Sequence, residues 1–232
     1  MVQKNPVLRT SSVFAELSKT IFKSYLSSDI TKLKKDWATN LLMHLNLRVQ
    51  VIGQPLNSGP VLILGNHISY VDIPLLVSLS PQISFLAKSD LKYWPLINLG
   101  AYKMKTVFVR RGSAESREKT KNIISEALLN NDRMIAAFPS GTTCLDENKS
   151  WRHGLFEIAY NSQVPIQPFR IHYFPLRPIA YIDKDKFLSH LYKLVQLQEI
   201  KVQIEYHKPV MVLNPKTCSQ YWQKWTQENW TK

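Results

Sequence analysis

Cysteine, glycine and long apolar runs are all scarce in this chain of 232 residues. Its two cysteines, Cys144 and Cys218, cannot form a framework of disulfides, and neither belongs to a CxxC pair. A cysteine-based zinc site is therefore not expected. Only seven glycines and 13 prolines are present, without periodicity, which excludes the collagen-like and low-complexity classes.

No segment contains the roughly 18 consecutive apolar residues that a membrane-spanning helix requires. The first residues, MVQKNPVLRTSS, lack the apolar stretch of a secretory signal, so such a signal is not expected. If a membrane takes part in the function of this protein, the sequence predicts that the chain lies on the membrane surface.

Acidic side chains are also few, since 17 Asp and Glu stand against 30 Lys and Arg, a formal net charge of +13. This excess predicts an anionic partner: nucleic acid, an acidic membrane surface or a phosphorylated small molecule. Hydrophobic residues make up 44% of the chain, enough to bury a sizeable core. The length fits one medium domain, or a domain with a small appendage.

The N-terminal part differs in composition from the rest. Residues 1–48 carry eight Lys or Arg and three acidic residues, and apolar spacing predicts two helices, Val13–Leu26 and Ile30–Leu47. An apolar stripe opposite lysines is typical of a helix at a membrane surface, and also of a helical hairpin packed on its own protein. The predicted organisation is an N-terminal amphipathic two-helix segment, residues 1–47, followed by a domain over residues 48–232.

In that second part, short β-rich runs alternate with helical stretches. The alternation predicts an α/β domain with a largely parallel, mixed sheet flanked by helices. The predicted strands are Arg48–Ile52, Val61–Leu64, Ile83–Ala87, Thr106–Val109, Met134–Phe138, Ile166–Ile171 and Val202–Tyr206, and the predicted helices are Val71–Ser80, Ala114–Asn130 and Leu155–Asn161. Since ligands bind beyond the C-terminal ends of such strands, polar residues there are the candidates for function.

A histidine and an aspartate form the first candidate site. His67 and Asp72 follow the apolar strand Val61–Leu64, and their five-residue separation lets the side chains fold back into hydrogen-bond contact. The carboxylate would then hold Nδ1 of the imidazole and leave Nε2 free as a general base. Taken alone, the pair favours a buried structural histidine, since a lone buried histidine is more often structural than catalytic.

Two adjacent arginines form the second candidate site. Arg110 and Arg111 end the strand Thr106–Val109 and precede the helix Ala114–Asn130. Guanidinium groups bind phosphate in a bidentate manner, and the N-terminus of a helix favours anions. The competing interpretation is a pair of solvated surface charges.

A turn of small residues forms the third candidate site. Ser140, Gly141 and Thr142 follow the strand Met134–Phe138, and such a turn exposes backbone N–H groups and hydroxyls that can hold a phosphate or a glycerol hydroxyl. The same residues also suit an ordinary tight turn.

Taken together, four motifs occur in order: His-x4-Asp, Phe-x-Arg-Arg, Phe-Pro-Ser-Gly-Thr, and Val-Pro-Ile-Gln-Pro at 164–168. This order resembles the glycerolipid acyltransferase family, typified by the 1-acylglycerol-3-phosphate acyltransferases, from about Trp37 to about Pro209. One position departs from the family pattern, because Ser140 stands where the third motif usually has Glu. The family associates that Glu with the acyl acceptor.

The resemblance implies transfer of a fatty acyl group from a thioester, acyl-CoA or acyl carrier protein, to the hydroxyl of a lysolipid. The first expectation for this acceptor is 1-acylglycerol-3-phosphate. His67 would be the general base and Asp72 would orient it. Arg110 and Arg111 would hold the phosphate of the acceptor, and residues 140–142 its glycerol side. The changed Ser140 leaves open a lyso-aminolipid acceptor, or a lipid-binding relative without catalysis.

A lipid acceptor also favours the membrane interpretation of the N-terminal helices, since each basic residue near an anionic surface contributes about 1 kcal/mol. We therefore expect peripheral attachment to the cytoplasmic face of a membrane. No metal and no cofactor are expected, because His67 and Asp72 are too few for a closed zinc site and the acyl donor is a substrate.

Two other classes compete with this interpretation. A nucleic-acid-binding domain explains the charge and leaves the ordered motifs unexplained, so no nucleic-acid partner is predicted. A thioester hydrolase is disfavoured because the chain lacks a G-x-S-x-G nucleophile elbow.

Overall fold

A computed structural model of the chain describes residues 5–89, 93, 95–109, 114–130, 133–182 and 184–228. The strands are β1 (Leu47–Ile52), β2 (Val61–Gly65), β3 (Ser84–Lys88), β4 (Val107–Val109), β5 (Met134–Ala137), β6 (Ile166–Phe174) and β7 (Ile200–Tyr206). The helices are α1 (Pro6–Leu26), α2 (Ile30–His44), α3 (Asp72–Leu79), α4 (Pro95–Lys103), α5 (Ala114–Leu129), α6 (Gly154–Asn161), α7 (Leu176–Ile179), α8 (Phe187–Leu194) and α9 (Pro215–Gln227).

The described strands form one sheet in the order β1-β7-β6-β2-β5-β3-β4. Every neighbouring pair is parallel except β6 and β7, which run antiparallel. The predicted α/β class, with a largely parallel mixed sheet and flanking helices, is confirmed. Strand β2 lies at the centre between β5 and β6, so the loop that leaves it emerges between the ends of two parallel neighbours.

The N-terminal helices are both present, but their bounds differ from the prediction. Helix α1 starts at Pro6 instead of Val13, because the Asn5 side chain caps it and Pro6 occupies the first turn, where a missing N–H costs nothing. Its first turns are more polar than the predicted stretch, so apolar periodicity does not reveal them. Helix α2 ends at His44 instead of Leu47, since Asn46 adopts a φ of 53° and turns the chain into β1.

Four of the described helices, α4, α7, α8 and α9, are absent from the predicted set, and β6 continues three residues past Ile171 to Phe174. The extra length of β6 comes from pairing with β7, which the short apolar run did not indicate.

Each face of the sheet carries its own hydrophobic core. Helices α2, α3 and α8 cover one face with residues such as Leu42, Leu75 and Leu191. Helices α5, α6 and α9 cover the other, where Phe156 and Trp222 are buried. Trp222 thus packs in the core.

Cations at backbone carbonyls join the two N-terminal helices to each other and to the rest of the fold. Arg9 on α1 reaches the carbonyl of His44 at 2.6 Å, and Lys34 on α2 reaches that of Ile83 at 2.8 Å. Burial and the nearby Lys105 lower the pKa of Lys34 to about 8. The inner faces of both helices pack on the same core as the α/β part. The division of function at residue 47 stays a prediction.

Candidate active site

The centre of the sheet is built so that β2 and β6 approach closely. Gly65 pairs with Phe169, and a Cβ at residue 65 would lie 2.4 Å from the Phe169 carbonyl oxygen, so no side chain fits there. The next residue, Asn66, continues the ladder with its side chain, which donates to the carbonyl of Ile171 at 2.8 Å and accepts from its N–H at 2.7 Å. These contacts fix the point where the chain leaves β2.

His67 and Asp72 meet immediately beyond this point. Nδ1 of His67 lies 2.7 Å from Oδ2 of Asp72, and the side chains are 17% and 0% exposed, respectively. Because a carboxylate only accepts hydrogen bonds, Nδ1 carries the proton and Nε2 holds the free lone pair of the neutral ring. The arrangement suits proton abstraction by Nε2.

Asp72 receives four hydrogen bonds from the described residues. Besides Nδ1 of His67, its Oδ2 accepts from the backbone N–H groups of Ile68 at 2.8 Å and Ser69 at 3.0 Å. Its Oδ1 accepts from the hydroxyl of Tyr173 at 2.8 Å. These four donors fix the orientation of the buried carboxylate.

The predicted turn after β5 lies directly against the histidine. The ring of Phe138 stacks on the His67 imidazole with centroids 3.8 Å apart and planes inclined by 8°. The Ser140 hydroxyl is buried and donates to the Thr142 carbonyl at 2.9 Å, and the N–H of Gly141 donates to the Phe138 carbonyl at 2.9 Å. Ser140, which stands in place of the family Glu, therefore donates its hydroxyl hydrogen bond within the turn. Thr142 is exposed.

A second buried acid, Glu147, supports the histidine from behind. Its Oε1 accepts from the backbone N–H of His67 at 2.9 Å and its Oε2 from the Trp151 indole at 2.7 Å. Burial raises the pKa of the Glu147 carboxyl, and these two hydrogen bonds offset part of the rise. Its φ of 52° lies in the left-handed region, a strain that persists only where the surroundings enforce it.

The last long helix holds this loop in place. Gln223 of α9 donates to the Glu147 carbonyl at 2.6 Å and accepts from the Trp151 N–H at 2.9 Å. Gln227, one turn later, also donates to the Glu147 carbonyl, at 3.1 Å.

Cys144, which lies in the same loop, is the one thiol beside the site within the described residues. Its Sγ donates to Oε1 of Glu147 at 3.1 Å, and burial together with the Glu147 charge raises the pKa of this thiol to about 12. Since the thiolate is the reactive form, Cys144 is a poor nucleophile.

The segment around α7 and α8 covers the other side of the His67 loop. The N–H of Tyr181 donates to the Ile68 carbonyl at 3.0 Å. The hydroxyl of Tyr70 lies 3.0 Å from Nδ1 of His190, whose Nε2 donates to the carbonyl of Ala180. These contacts join the loop between the catalytic candidates to a part of the chain more than 100 residues away.

The structure thus brings together His67, Asp72, Ser140 and Gly141, with Thr142 at the edge of the same turn. The predicted pair Arg110 and Arg111 lies outside the described residues. Sequence reasoning missed the contribution of Asn66, Glu147 and Tyr173. Tyr173 had one visible signal, since it shares the alternating buried face of β6 with Phe169 and Ile171 and yet carries a polar hydroxyl.

The family model described as Acyltransferase matches residues 48–172, more than half of the chain. The chain belongs to the acyltransferase family. The resemblance to the glycerolipid acyltransferases is thereby confirmed, and the four ordered motifs lie within or next to the matched part.

Individual relatives with named activities are similar to this acyltransferase over most of its length. It is 34% identical over 192 residues to a lyso-ornithine lipid O-acyltransferase of Pseudomonas aeruginosa, covering 79% of this chain and 73% of the relative. It is 24% identical to a 1-acyl-sn-glycerol-3-phosphate acyltransferase of Neisseria gonorrhoeae over 67% of this chain and 63% of that one. The crystal structure of the 1-acyl-sn-glycerophosphate acyltransferase of Thermotoga maritima has the same fold, with a TM-score of 0.69 at 19% identity over 98% of this chain and 96% of that one.

Proposed function

We propose that this acyltransferase moves a fatty acyl group from a thioester donor, acyl-CoA or acyl carrier protein, to the hydroxyl of a lysolipid. His67 acts as the general base and Asp72 orients it. The proposal rests above all on the 2.7 Å contact between His67 Nδ1 and a fully buried Asp72, which leaves Nε2 as the free basic atom of the ring. Membership of the family supplies the reaction class.

The reaction needs no covalent enzyme intermediate. The acceptor hydroxyl gives its proton to Nε2 of His67 while its oxygen forms a bond to the acyl carbon, and the C–S bond then breaks. The departing thiolate takes the proton from Nε2, although thiols of pKa about 8.5 leave readily without such help. The Asp72 charge stabilises the imidazolium between the two proton transfers.

We propose a lyso-aminolipid of the lyso-ornithine kind as the acceptor. The relative with 34% identity bears that activity in its name, as does a relative of Brucella abortus with 28% identity. Ser140 adds no charge to the turn. This agrees with an acceptor different from that of family members with Glu at this position. Arg110 and Arg111 suit this acceptor too, since guanidinium groups bind a carboxylate as well as a phosphate. The second candidate is 1-acylglycerol-3-phosphate, which the motif order favours.

An acceptor panel tests this choice. Purified protein is incubated with palmitoyl-CoA and, separately, lyso-ornithine lipid, 1-acylglycerol-3-phosphate or lysophosphatidylcholine, and products are identified by mass. We expect kcat/KM for lyso-ornithine lipid to exceed the others by about tenfold, which corresponds to about 1.4 kcal/mol. Faster acylation of 1-acylglycerol-3-phosphate would contradict the acceptor assignment. Absence of product from every acceptor, with palmitoyl-loaded carrier protein tried as donor, would favour a relative without catalysis.

We propose further that α1 holds the enzyme on an anionic membrane surface at the cytoplasmic face. In the described ranges, no helix combines the length and the apolar character needed to cross a bilayer. The end of α1 leaves Phe22, Tyr25 and Leu26 exposed, beside the basic Lys23. Lys103 of α4 caps this end of the helix at the Ser24 carbonyl, 3.0 Å away. Apolar side chains next to lysines suit the boundary between head groups and acyl chains.

Replacing both Phe22 and Leu26 by serine is expected to weaken binding to anionic vesicles by roughly tenfold or more, because burial of one large apolar side chain is worth about 1.5–3 kcal/mol. Co-sedimentation with vesicles of phosphatidylglycerol and phosphatidylcholine measures the effect. The matched control is Leu213→Ser, which removes a side chain that is 88% exposed and lies just before α9, on the other face of the sheet. Equal losses in the two variants would contradict α1 as the attachment site.

A further inference from the structure

The four donors to Asp72 are divided unequally between its two oxygens. Oδ2 accepts from His67, Ile68 and Ser69, all from the loop that leaves β2. Oδ1 accepts from Tyr173 alone among the described residues. The Tyr173 hydroxyl therefore fixes Oδ1, and with it the second of the two oxygens that define the plane of the carboxylate.

Tyr173 comes from a part of the chain that the four motifs do not include. It lies near the end of β6, beyond the segment that pairs with β2, where β6 continues through antiparallel pairing of Tyr173 with Val202. Both Tyr173 and Asp72 are 0% exposed, so bulk water does not compete for the contact. Burial and the Asp72 charge hold the pKa of Tyr173 well above its ordinary value, so the phenol keeps its proton and donates.

We propose that Tyr173 is a positioning residue for acyl transfer: its hydroxyl keeps the Asp72 carboxylate aligned with Nδ1 of His67. The inference rests on the proposed function of the His67–Asp72 pair. Tyr173 does not touch the reacting atoms and acts through Asp72. Without the hydroxyl, Oδ1 has no partner among the described residues, and the carboxylate is held only through Oδ2. The imidazole then loses part of its fixed orientation toward the acceptor.

The chain offers a matched control on the adjacent strand. Tyr206 of β7 is also buried, at 5% exposure, and its hydroxyl has no hydrogen-bond partner within the described part of the chain. Tyr206→Phe therefore removes the same atom from the same kind of environment without removing a contact. A difference between Tyr173→Phe and Tyr206→Phe isolates the hydrogen bond to Asp72 from the loss of a buried hydroxyl.

The experiment compares wild type, Tyr173→Phe and Tyr206→Phe under identical conditions. We expect kcat to fall roughly tenfold in Tyr173→Phe, since even a small misplacement of a catalytic group is costly and one of about 1 Å costs about 10²-fold. KM should stay within about twofold, because the substrate does not contact Tyr173. Tyr206→Phe should keep wild-type kcat and KM. The second readout, proton NMR, follows the low-field resonance of the Nδ1 proton that His67 shares with Asp72, which should move or broaden in Tyr173→Phe and not in Tyr206→Phe.

Several results would overturn the proposal. One is a wild-type kcat and an unmoved resonance in Tyr173→Phe, and another is an equal loss of kcat in both variants. A Tyr173→Phe protein that does not fold would also overturn it, because the hydroxyl would then serve the fold itself. The proposed function itself would fail if wild type acylated no lysolipid. The NMR signal needs no turnover, so it would still test the role of Tyr173 in that case.

Discussion

Replacing His67 by alanine is expected to lower kcat for lysolipid acylation by roughly 10²–10⁴-fold, the range that a positioned general base contributes. The His67 backbone supplies the contacts that hold the loop, namely the N–H bonded to Glu147 and the carbonyl bonded to Cys144, and alanine keeps both. The variant should therefore fold like wild type. Release of the CoA thiol measures the rate, circular dichroism measures the fold, and product mass confirms which bond was made.

His153→Ala is the control for this experiment. The His153 side chain is largely exposed and lies at the start of α6, where it pairs with Glu157 at 3.3 Å. This variant should keep the wild-type kcat. A His67→Ala protein that is folded and within about tenfold of wild-type kcat would contradict the assignment of His67 as the base, since general-base catalysis is worth at least about 10²-fold.

Replacing Asp72 by alanine is expected to remove both activity and stability, which separates this residue from His67. The change leaves four donors without an acceptor: Nδ1 of His67, two backbone N–H groups and the Tyr173 hydroxyl. Each buried donor left unsatisfied costs about 1–3 kcal/mol. We therefore expect a loss of at least about 3 kcal/mol in the free energy of unfolding, a large share of the roughly 5–15 kcal/mol that domains possess. Urea denaturation followed by tryptophan fluorescence measures it.

Asp72→Asn refines the same prediction. The amide has one oxygen in place of two, so it keeps some of the four hydrogen bonds and turns an N–H₂ group toward a donor at the other position. We expect a smaller loss of stability than in Asp72→Ala and still a fall in kcat of roughly 10²-fold, because the negative charge that stabilises the imidazolium is gone. An Asp72→Ala protein as stable as wild type would show that the carboxylate does not hold the loop.

Most of the sheet could be predicted from the sequence because buried parallel strands appear as short apolar runs between polar turns. Val61–Leu64 and Met134–Phe138 are of this kind and lie within one residue of β2 and β5. Helix α7 was missed because its four residues make only about one turn, too few for an apolar period to show. Helix α8 was missed although α3 and α6, which are equally long, were predicted. The start of α1 was missed because a cap and a proline, rather than apolar spacing, set it.

The candidate site likewise combines a local contact that the sequence predicts with distant contacts that it does not. His67 and Asp72 are five residues apart, so their contact follows from local geometry. The contacts that support them span 80 residues to Glu147 and 101 residues to Tyr173, and only the order of strands in the sheet creates them. A lone acid in a polar loop carries no local sign of such a role, and the hydroxyl of Tyr173 on a buried strand face does not indicate which residue it contacts. The parallel neighbours β5 and β6 bring both toward the end of β2.

The hydrogen bonds from α9 to the Glu147 loop determine when the site can be fully assembled during synthesis. During synthesis His67 is made 156 residues before Gln223 and 160 residues before Gln227, the two side chains that hold the Glu147 carbonyl. A nascent chain that does not yet include α9 contains His67 and Asp72 but lacks the two glutamine side chains that hold the Glu147 loop. The support of the His67 loop through Glu147 is therefore completed only after the last long helix has been synthesised and has packed against it.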